Sequence, residues 1–302
     1  MALKVLYYSQ GREEDKNALT YLRSLLSENV DEIDILYVTE KSSEVEEKRR
    51  RDLAREQREY FTSVESEEAI KTAKNIFSET SINVITNSSS GDPVEEVINK
   101  LADKSFNLFA LTAFGRGGFS KEILGAHVKP ILEKSNLPVL IHKGELTSCE
   151  RVLMHVPRDK ERCINLANYM KRFLKHSKPS VTFLSILEEG HPHFDGYTSP
   201  EDEEGLAEVR KDYEFEEKEY LKTAKDILTE EGIEAEIRHR IGDLSTELLK
   251  EAKEGRYDLM TFAPEKPGLL QSLWQGDVSF EIIRDVEISV LKFLKLKGQT
   301  SQ

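Results

Sequence analysis

A glycine-rich segment, residues 112–126 with the sequence TAFGRGGFSKEILGA, lies between an apolar run and a helical pattern. Glycine lets the backbone come close to a ligand and adopt conformations that other residues avoid. Backbone N–H groups in such a turn, followed by a helix N-terminus, are well placed to bind phosphate. The segment therefore indicates a loop that cradles a phosphate group, with Arg116 as a charged side chain able to reach it.

This segment differs from two common phosphate-binding signatures. Ser120 stands five positions after Gly115, where both the P-loop and the dinucleotide GxGxxG fingerprint require glycine. The chain also has no GxSxG or HExxH motif, and its seven histidines are scattered. We therefore expect a ligand-binding protein without fast chemistry, and we assign no catalytic residue.

Residues that could hold a metal ion form only weak patterns. The stretch HPHFDG places His191, His193 and Asp195 at alternating positions that could clasp a divalent cation, but a polar loop explains them more simply. The two cysteines, Cys149 and Cys163, have neither metal-ligand nor disulfide-framework spacing. We assign no metal site and expect a reducing cytoplasm.

Short, apolar, β-rich runs alternate with helical patterns along the chain. The first half contains KVLYYS, IDILYVT, INVITNSS, FNLFALTA and LPVLIHK, and the second contains RVLMHVP, SVTFLSIL, IEAEIRHRIG, YDLMTFAP and ISVLKFLKL. This alternation is typical of a parallel sheet covered by helices. The sequence therefore predicts an α/β fold with five strands in each half.

Three landmarks of the first half recur in the second at one offset, 151 positions: Gly91-Asp92 at Gly242-Asp243, Asn107 at Asp258, and Gly125 at Gly276. One offset over three landmarks indicates a tandem duplication. The polar stretch KGELTSCE places the boundary near Thr147. We predict a first domain at residues 1–146 and a second at 147–302.

A clear helix start lies at GDPVEEV, residues 91–97. Gly91 permits a turn, Asp92 suits the N-cap, and Pro93 suits the first helical position. Glu95 then stands in the first turn, where a negative charge is favourable. The stretch predicts a helix that begins directly after the third strand.

The composition excludes several classes of partner. The formal net charge of −13 would repel nucleic acid, so we expect no nucleic-acid partner. Neither a signal-peptide core nor an apolar run of about 18 residues occurs, so we expect a cytoplasmic protein without a membrane partner. Highly charged stretches at residues 43–78 and 201–231 predict long helices with solvated faces, or else a partner-binding surface.

The stretch GDPVEEVINKLADKSFNLFALTAFGRGGFSKEILGAHVKPILEKSNLPVLIHK, residues 91–143, resembles the universal stress protein family, and the resemblance extends over nearly all of each half. It implies two tandem five-stranded parallel-sheet domains of the adenine-nucleotide α-hydrolase-like (Rossmann-like) type and a role in stress response. It also implies that PVLIHK and SVLKFLKL pair inside one chain as a pseudo-dimer, and that chains associate further as a homo-oligomer.

ATP-binding members of that family carry a loop of Gly, two residues, Gly, nine residues, Gly and then Ser or Thr. These positions hold Thr112, Gly115, Gly125 and Ala126, so the spacing is kept while the first glycine and the final hydroxyl are not. Gln10 replaces an Asp that ends the first strand and contacts the nucleotide, and it can hydrogen-bond a base or ribose without a negative charge. The resemblance implies an adenine nucleotide, ATP or AMP, as the ligand of the first domain.

The residues expected to line this nucleotide site come from strand ends and from the loop. They are Ser9, Gln10, Gly11, Val38, Gly91, Leu111, Thr112, Gly115, Arg116, Gly117, Gly125, Ala126 and His127. By the same resemblance Val38 meets adenine through its backbone and Gly91 lies at the rim of the pocket. Core packing and a turn explain these two residues at least as well.

The second half departs further from the loop pattern. Ala263, Lys266, Gly276 and Asp277 hold the loop positions, and Pro157 replaces the strand-one Asp. Asp277 would repel a phosphate group. We expect the second half to have lost triphosphate binding and to serve folding, pairing or a different ligand.

Two functions remain open at this point. The first is a cytoplasmic universal stress protein whose first domain binds ATP or AMP as a regulatory ligand, with at most slow ATP hydrolysis. The second is a nucleotide-free scaffold whose acidic helices or last strands contact protein partners. Gln10, Thr112 and Ala126 favour the second function, because each departs from the nucleotide-binding pattern.

Overall fold

In the computed structural model the described residues form two compact units, the first containing those up to Ser148 and the second those from Cys149 onward. The described residues are 3–11, 13–26, 30–40, 67–103, 105–113, 127–157, 159–187, 219–263 and 278–294.

The first unit is built on a five-stranded parallel sheet. Its strands are β1 (Leu3–Ser9), β2 (Val30–Glu40), β3 (Asn83–Gly91), β4 (Leu108–Thr112) and β5 (Val139–His142). They lie in the order β3-β2-β1-β4-β5. The helices are α1 (Glu13–Leu26), α2 (residues 67–77), α3 (Pro93–Leu101) and α4 (Val128–Lys134).

The second unit repeats this architecture. Its strands are β6 (Arg151–His155), β7 (Ser180–Leu187), β8 (Ala235–Ile241), β9 (Leu259–Phe262) and β10 (Ser289–Lys292). They lie in the parallel order β10-β9-β6-β7-β8. The helices are α5 (Lys160–Phe173), α6 (residues 219–229), α7 (Leu244–Glu254) and α8 (Val278–Asp285). The predicted α/β fold with two tandem five-stranded parallel sheets is confirmed.

The strand registers of the two units are equivalent. Val5 of β1 pairs with Leu108 of β4, and Val152 of β6 pairs with Leu259 of β9. An offset of 151 relates the fourth strands, as the landmarks predict, and an offset of 147 relates the first strands. The duplication therefore extends to individual strand pairs, which allows residues of the two units to be compared position by position.

One landmark pair performs the same structural task in both units. Asn107 Oδ1 accepts a hydrogen bond of 2.9 Å from the backbone N–H of Lys4 at the start of β1. Asp258 Oδ2 accepts bonds of 2.7 and 2.9 Å from the N–H groups of Glu150 and Arg151 at the start of β6. Each side chain satisfies backbone donors that the sheet itself leaves unpaired.

The predicted helix start is confirmed at α3 and recurs at α7. Asp92 is the N-cap of α3, and its Oδ1 accepts a bond of 2.9 Å from Glu95 N, with Pro93 at the first helical position. Asp243 caps α7 through a bond of 2.9 Å from Thr246 N. Both caps satisfy an N–H group that has no partner inside the helix.

Each sheet is covered by helices that bury one apolar face. In α1 the buried apolar side chains recur at helical spacing: Ala18, Leu19, Leu22, Leu25 and Leu26. The equivalent face of α5 is formed by Cys163, Leu166, Ala167, Met170 and Phe173. Strands β4, β5, β9 and β10 are buried along their whole length, as parallel strands covered on both faces are.

Only the last parts of the two charged stretches predicted to form long helices lie within the described residues. Residues 67–77 and 219–229 are helical, whereas 43–66 and 201–218 lie outside the described residues. Within the described ranges, no helix is both long enough and apolar enough to cross a membrane.

Candidate functional site

The carboxyl ends of β1 and β4 lie side by side at the point where the strand order of the first unit reverses. From β1 the sheet continues through β2 to β3, and from β4 it continues to β5 in the opposite direction. Ligands of open parallel sheets bind in the crevice outside such a reversal point. Ser9 ends β1 and Thr112 ends β4, so two predicted site residues lie at this crevice.

A buried carboxylate, Asp15, joins these strand ends. Its Oδ1 accepts hydrogen bonds from Tyr7 Oη at 2.6 Å and from Thr112 Oγ1 at 3.3 Å. Its Oδ2 accepts bonds of 2.9 Å from Ser9 Oγ and from the backbone N–H of Gln10. Four donors occupy a group with about four acceptor positions. We call these five residues the Asp15 cluster.

The Asp15 cluster contains one carboxylate and four neutral donors. Burial first, and then the charge of Asp15 and the hydrogen bond to it, raise the pKa of Tyr7 well above its ordinary value of 10.0. Tyr7 therefore remains protonated and donates to the carboxylate at any physiological pH. The cluster is a stable acceptor–donor arrangement with a negative charge at its centre.

Sequence reasoning missed Asp15, although a signal for it exists. Asp15 stands three, four and seven residues before Ala18, Leu19 and Leu22, which are all buried. This spacing puts an acidic side chain on the apolar face of α1. Glu13, Glu14 and Asp15 also lie in the first helical turn, where the helix dipole favours carboxylates.

Gln10 and Gly11 complete the end of β1. Gln10 Nε2 donates a 3.3 Å bond to the carbonyl oxygen of Thr112, and Gly11 N donates a 3.2 Å bond to Ser9 Oγ. Gly11 has a φ of +70°, and a Cβ at this position would lie 2.6 Å from Tyr37 Cε2. Glycine is therefore required here both for its backbone conformation and for the close approach of the Tyr37 ring.

We expect Gly11→Ala to lower the free energy of unfolding of the first unit by about 2 kcal/mol, through left-handed strain and the displaced Tyr37 ring. Gly144 supplies a matched control, because its φ is +77° and a Cβ added there would have no atom within 4 Å. Gly144→Ala should cost about 1 kcal/mol, from backbone strain alone. Equal losses in urea denaturation of the two variants would contradict a close contact between Gly11 and Tyr37.

Other predicted site residues lie on neighbouring elements. Val38 is buried near the end of β2, and Gly91 ends β3, where a Cβ would lie 2.7 Å from Glu96 Oε1. Leu111 is buried within β4, and His127 is the N-cap residue of α4. The structure thus brings Ser9, Gln10, Gly11 and Thr112 together, while Val38 and Gly91 lie on the adjacent strands β2 and β3.

Several predictions fall outside the described residues. These are the loop residues Gly115, Arg116, Gly117, Gly125 and Ala126 of the first half, Lys266, Gly276 and Asp277 of the second, and the alternative metal ligands His191, His193 and Asp195. In the ranges that the structure does describe, no group of three His, Cys, Asp or Glu side chains could hold a metal ion.

A buried histidine lies beside the crevice on the β5 side. His142 pairs in register with Thr112, and its ring stacks on Tyr21 with centroids 4.9 Å apart. Burial lowers the pKa of His142 from 6.5 to about 4. The ring is therefore neutral at pH 7 and adds no positive charge to the strand ends.

The second unit does not repeat the Asp15 cluster. By the strand offsets of 147 and 151, the positions of Tyr7, Ser9, Gln10 and Thr112 are held by Met154, Val156, Pro157 and Ala263. The buried face of α5 matches that of α1 at an offset of 148, which places the buried Cys163 at the position of Asp15. Met154, Val156 and Ala263 are buried and apolar. At these positions the second strand reversal thus has neither the hydroxyl donors nor the carboxylate of the first.

The units also differ in the charge of one equivalent helix position. Lys100 of α3 forms an ion pair of 2.7 Å with Asp34 of β2. Its equivalent in α7, Glu251, accepts bonds from Arg240 Nε at 2.7 Å and from Tyr257 Oη at 2.9 Å. Burial favours a higher pKa for Glu251, but the bonds from Arg240 and Tyr257 outweigh it and lower the pKa below 4.5. This helix position therefore carries a positive charge in the first unit and a negative charge in the second.

Comparison with known proteins gives a family match for the first half and a fold match for the whole chain. The model of the universal stress protein family matches residues 1–143. A universal stress protein from Archaeoglobus fulgidus, 19% identical, aligns over 98% of this chain and 97% of its own, with a TM-score of 0.68. A functionally unknown protein from Pseudomonas aeruginosa, 14% identical, aligns over 97% and 92%, with a TM-score of 0.61. No curated protein matches significantly.

Proposed function

We propose, because the model of the universal stress protein family matches residues 1–143, that the chain is a stress-response protein of that family whose first unit binds an adenine nucleotide. The ligand, ATP or AMP, acts by binding and regulates the protein, with at most slow hydrolysis of ATP. The proposed site is the crevice at the carboxyl ends of β1 and β4.

The observation that carries this proposal is the convergence of separate chain segments at the strand reversal. Ser9, Gln10 and Gly11 follow one strand, and Thr112 follows another, yet hydrogen bonds join them. Thr112 directly precedes the segment with the Gly115-to-Gly125 spacing. A polar cluster next to a glycine-rich connection, at the reversal point of a parallel sheet, is a favourable place for a nucleotide.

Each part of the proposed site has a chemical role. Gln10 Nε2 donates to the carbonyl oxygen of Thr112, and its Oε1 can accept from a ribose hydroxyl or an adenine amino group. Backbone N–H groups of the glycine-rich segment can donate to phosphate oxygens. The second unit, with Met154, Val156 and Ala263 at the equivalent positions, has no such polar groups there and is proposed to bind no nucleotide.

Calorimetric titration of the full chain with AMP and ATP tests this function, using one substitution in each half. Gly115→Asp adds bulk and a negative charge to the proposed phosphate loop, so we expect the Kd to rise at least about tenfold. Lys266→Ala changes the equivalent position of the second half and should leave the Kd unchanged. Equal effects of the two substitutions would contradict the assignment of the site to the first half.

A nucleotide-free scaffold is the second candidate function, and one observation favours it. The donors at the strand ends, Ser9 Oγ, Gln10 N and Thr112 Oγ1, already bond to Asp15 instead of facing a ligand. This function predicts no nucleotide in the supernatant of heat-denatured protein by mass spectrometry, and no heat of binding below millimolar ligand. The nucleotide-binding function predicts a measurable heat with AMP.

A further inference from the structure

We propose that the outer edge of β3 is a docking site for an extended, basic segment of a partner protein, which adds to the sheet of the first unit as a further strand. Two features of the first unit carry this inference: an edge strand without charged residues, and a group of carboxylates at the end of that strand. The inference goes beyond nucleotide binding and does not depend on it.

Strand β3 is the outermost strand of its sheet. Among the described residues it pairs only with β2, in an unbroken register over the nine residues Asn83–Gly91. The side chains of Asn83, Ser88 and Ser90 are exposed along it. An edge strand presents a row of N–H and C=O groups that its own sheet leaves unpaired, and an extended chain can pair with them.

The sequence of β3, NVITNSSSG, has none of the features that commonly protect an edge strand. It contains no charged residue and no proline, and its register with β2 shows no bulge. Val84, Ile85 and Thr86 are half-buried β-branched residues, which favour strand pairing. The composition of β3 therefore favours the addition of a strand.

The equivalent edge strand of the second unit, β8, is protected by charge. Arg238 pairs with Glu236 at 2.8 Å, and Arg240 pairs with Glu247 at 3.0 Å. Charged side chains on an edge strand oppose pairing with another chain. By the offset of 151, the three charged positions of β8 are held in β3 by Ile85, Asn87 and Ser89.

Three carboxylates lie at the carboxyl end of β3, and we call them the acidic end. Asp92 and Glu95 are exposed, and Glu96 Oε1 lies 2.7 Å from the position that a Cβ on Gly91 would occupy. None of the three forms an ion pair within the part of the chain that the structure describes. Their negative charge is therefore available to a partner.

The acidic end determines the chemistry of the partner. Lysine or arginine side chains at one end of an added strand are attracted to it, whereas acidic side chains are repelled. The second unit lacks this feature, because Thr246 stands at the position of Glu95, and Arg240 pairs with Glu247, the equivalent of Glu96. We therefore assign the docking site to the first unit and its occupant to a basic segment.

The test uses the full chain and two synthetic peptides of alternating threonine and valine that match β3 in length. One peptide begins with two lysines, which meet the acidic end when the peptide pairs antiparallel to β3, and the other begins with two glutamates. By fluorescence anisotropy at low salt, we expect the lysine peptide to have a Kd at least about tenfold lower. Amide hydrogen exchange should slow at residues 83–91 and stay unchanged at 235–241.

Three variants separate the acidic end from the strand edge. Glu95→Lys reverses one charge of the acidic end and should raise the Kd of the lysine peptide about three- to tenfold. Thr246→Lys is the matched control at the equivalent exposed position of α7 and should leave this Kd unchanged. Ser88→Lys places a charge on the edge itself, and should raise the Kd at least about threefold.

The outcomes decide between a basic partner and other occupants. Equal Kd values of the two peptides, or equal effects of Glu95→Lys and Thr246→Lys, would overturn the basic partner. Slowed exchange at 235–241 instead of 83–91 would overturn the edge of β3 as the docking site. A dimer that light scattering detects and that Ser88→Lys dissociates would show a second copy of the chain as the occupant. If circular dichroism shows that a variant does not fold, the two peptides and the exchange data on the wild-type chain still decide.

Discussion

Replacing Asp15 with alanine is expected to lower the free energy of unfolding of the first unit by about 3–5 kcal/mol. The substitution removes the shared acceptor of Tyr7, Ser9 and Thr112, whose side chains are buried. A buried donor without an acceptor has lost its hydrogen bond to water and gained none in exchange. The free energy of this desolvation exceeds the small net stabilisation that a hydrogen bond contributes. Urea denaturation followed by circular dichroism measures the change.

Two milder variants show whether the loss of stability comes from the buried donors that Asp15→Ala leaves without an acceptor. Asp15→Asn keeps one oxygen that can accept, so it should lose about half as much as alanine. Tyr7→Phe removes one donor and leaves the carboxylate with Ser9, Gln10 and Thr112, and should cost about 1 kcal/mol. A loss below about 1 kcal/mol for Asp15→Ala would contradict the Asp15 cluster as a structural centre of this unit.

Acidification from pH 6.5 to pH 4 is expected to lower the free energy of unfolding by about 3 kcal/mol through His142 alone. Burial lowers the pKa of His142 from 6.5 to about 4 in the folded chain. Between these values the unfolded chain binds a proton that the folded chain does not. The stability is therefore fully present above pH 6.5 and is lost progressively as the pH falls to 4.

His142→Phe separates this contribution from other titrations. Phenylalanine keeps an aromatic ring to stack on Tyr21 and has no proton to bind, so the pH dependence between 6.5 and 4 should flatten. The pKa values of Glu251 and Asp243 are lowered from 4.5 and 3.8, so the stability that these groups contribute is fully present above those ordinary values and is lost as the pH falls below them. An identical slope in wild type and variant would show that His142 does not titrate in this window.

Much of the fold could be predicted from the sequence because the signals are local. Apolar β-rich runs indicated each of the ten strands that the described residues form, and the offset of 151 positions reappears in the strand registers. The helix start at Asp92 was predictable because capping depends on residues only three positions apart. Periodicity and capping are properties of neighbouring residues, so a single sequence carries them.

The Asp15 cluster was harder to predict because it joins distant segments. Thr112 and Asp15 are 97 positions apart, and only the parallel pairing of β1 with β4 brings them together. The residue that follows the first strand is Gln10, whereas the carboxylate comes from the following helix. The roles of the glycine-rich loop, the pairing of the two halves through their last strands and the cytoplasmic location stay predictions.

The central claim is that two units with one fold have diverged, so that only the first, with Ser9, Gln10 and Thr112 around Asp15, binds an adenine nucleotide. Equilibrium dialysis of the full chain against labelled AMP tests this most directly, because it counts bound ligand per chain. We predict saturation at one AMP per chain. Saturation at two AMP molecules per chain would contradict the loss of the site in the second unit. The absence of bound AMP at millimolar ligand would contradict nucleotide binding by the first unit.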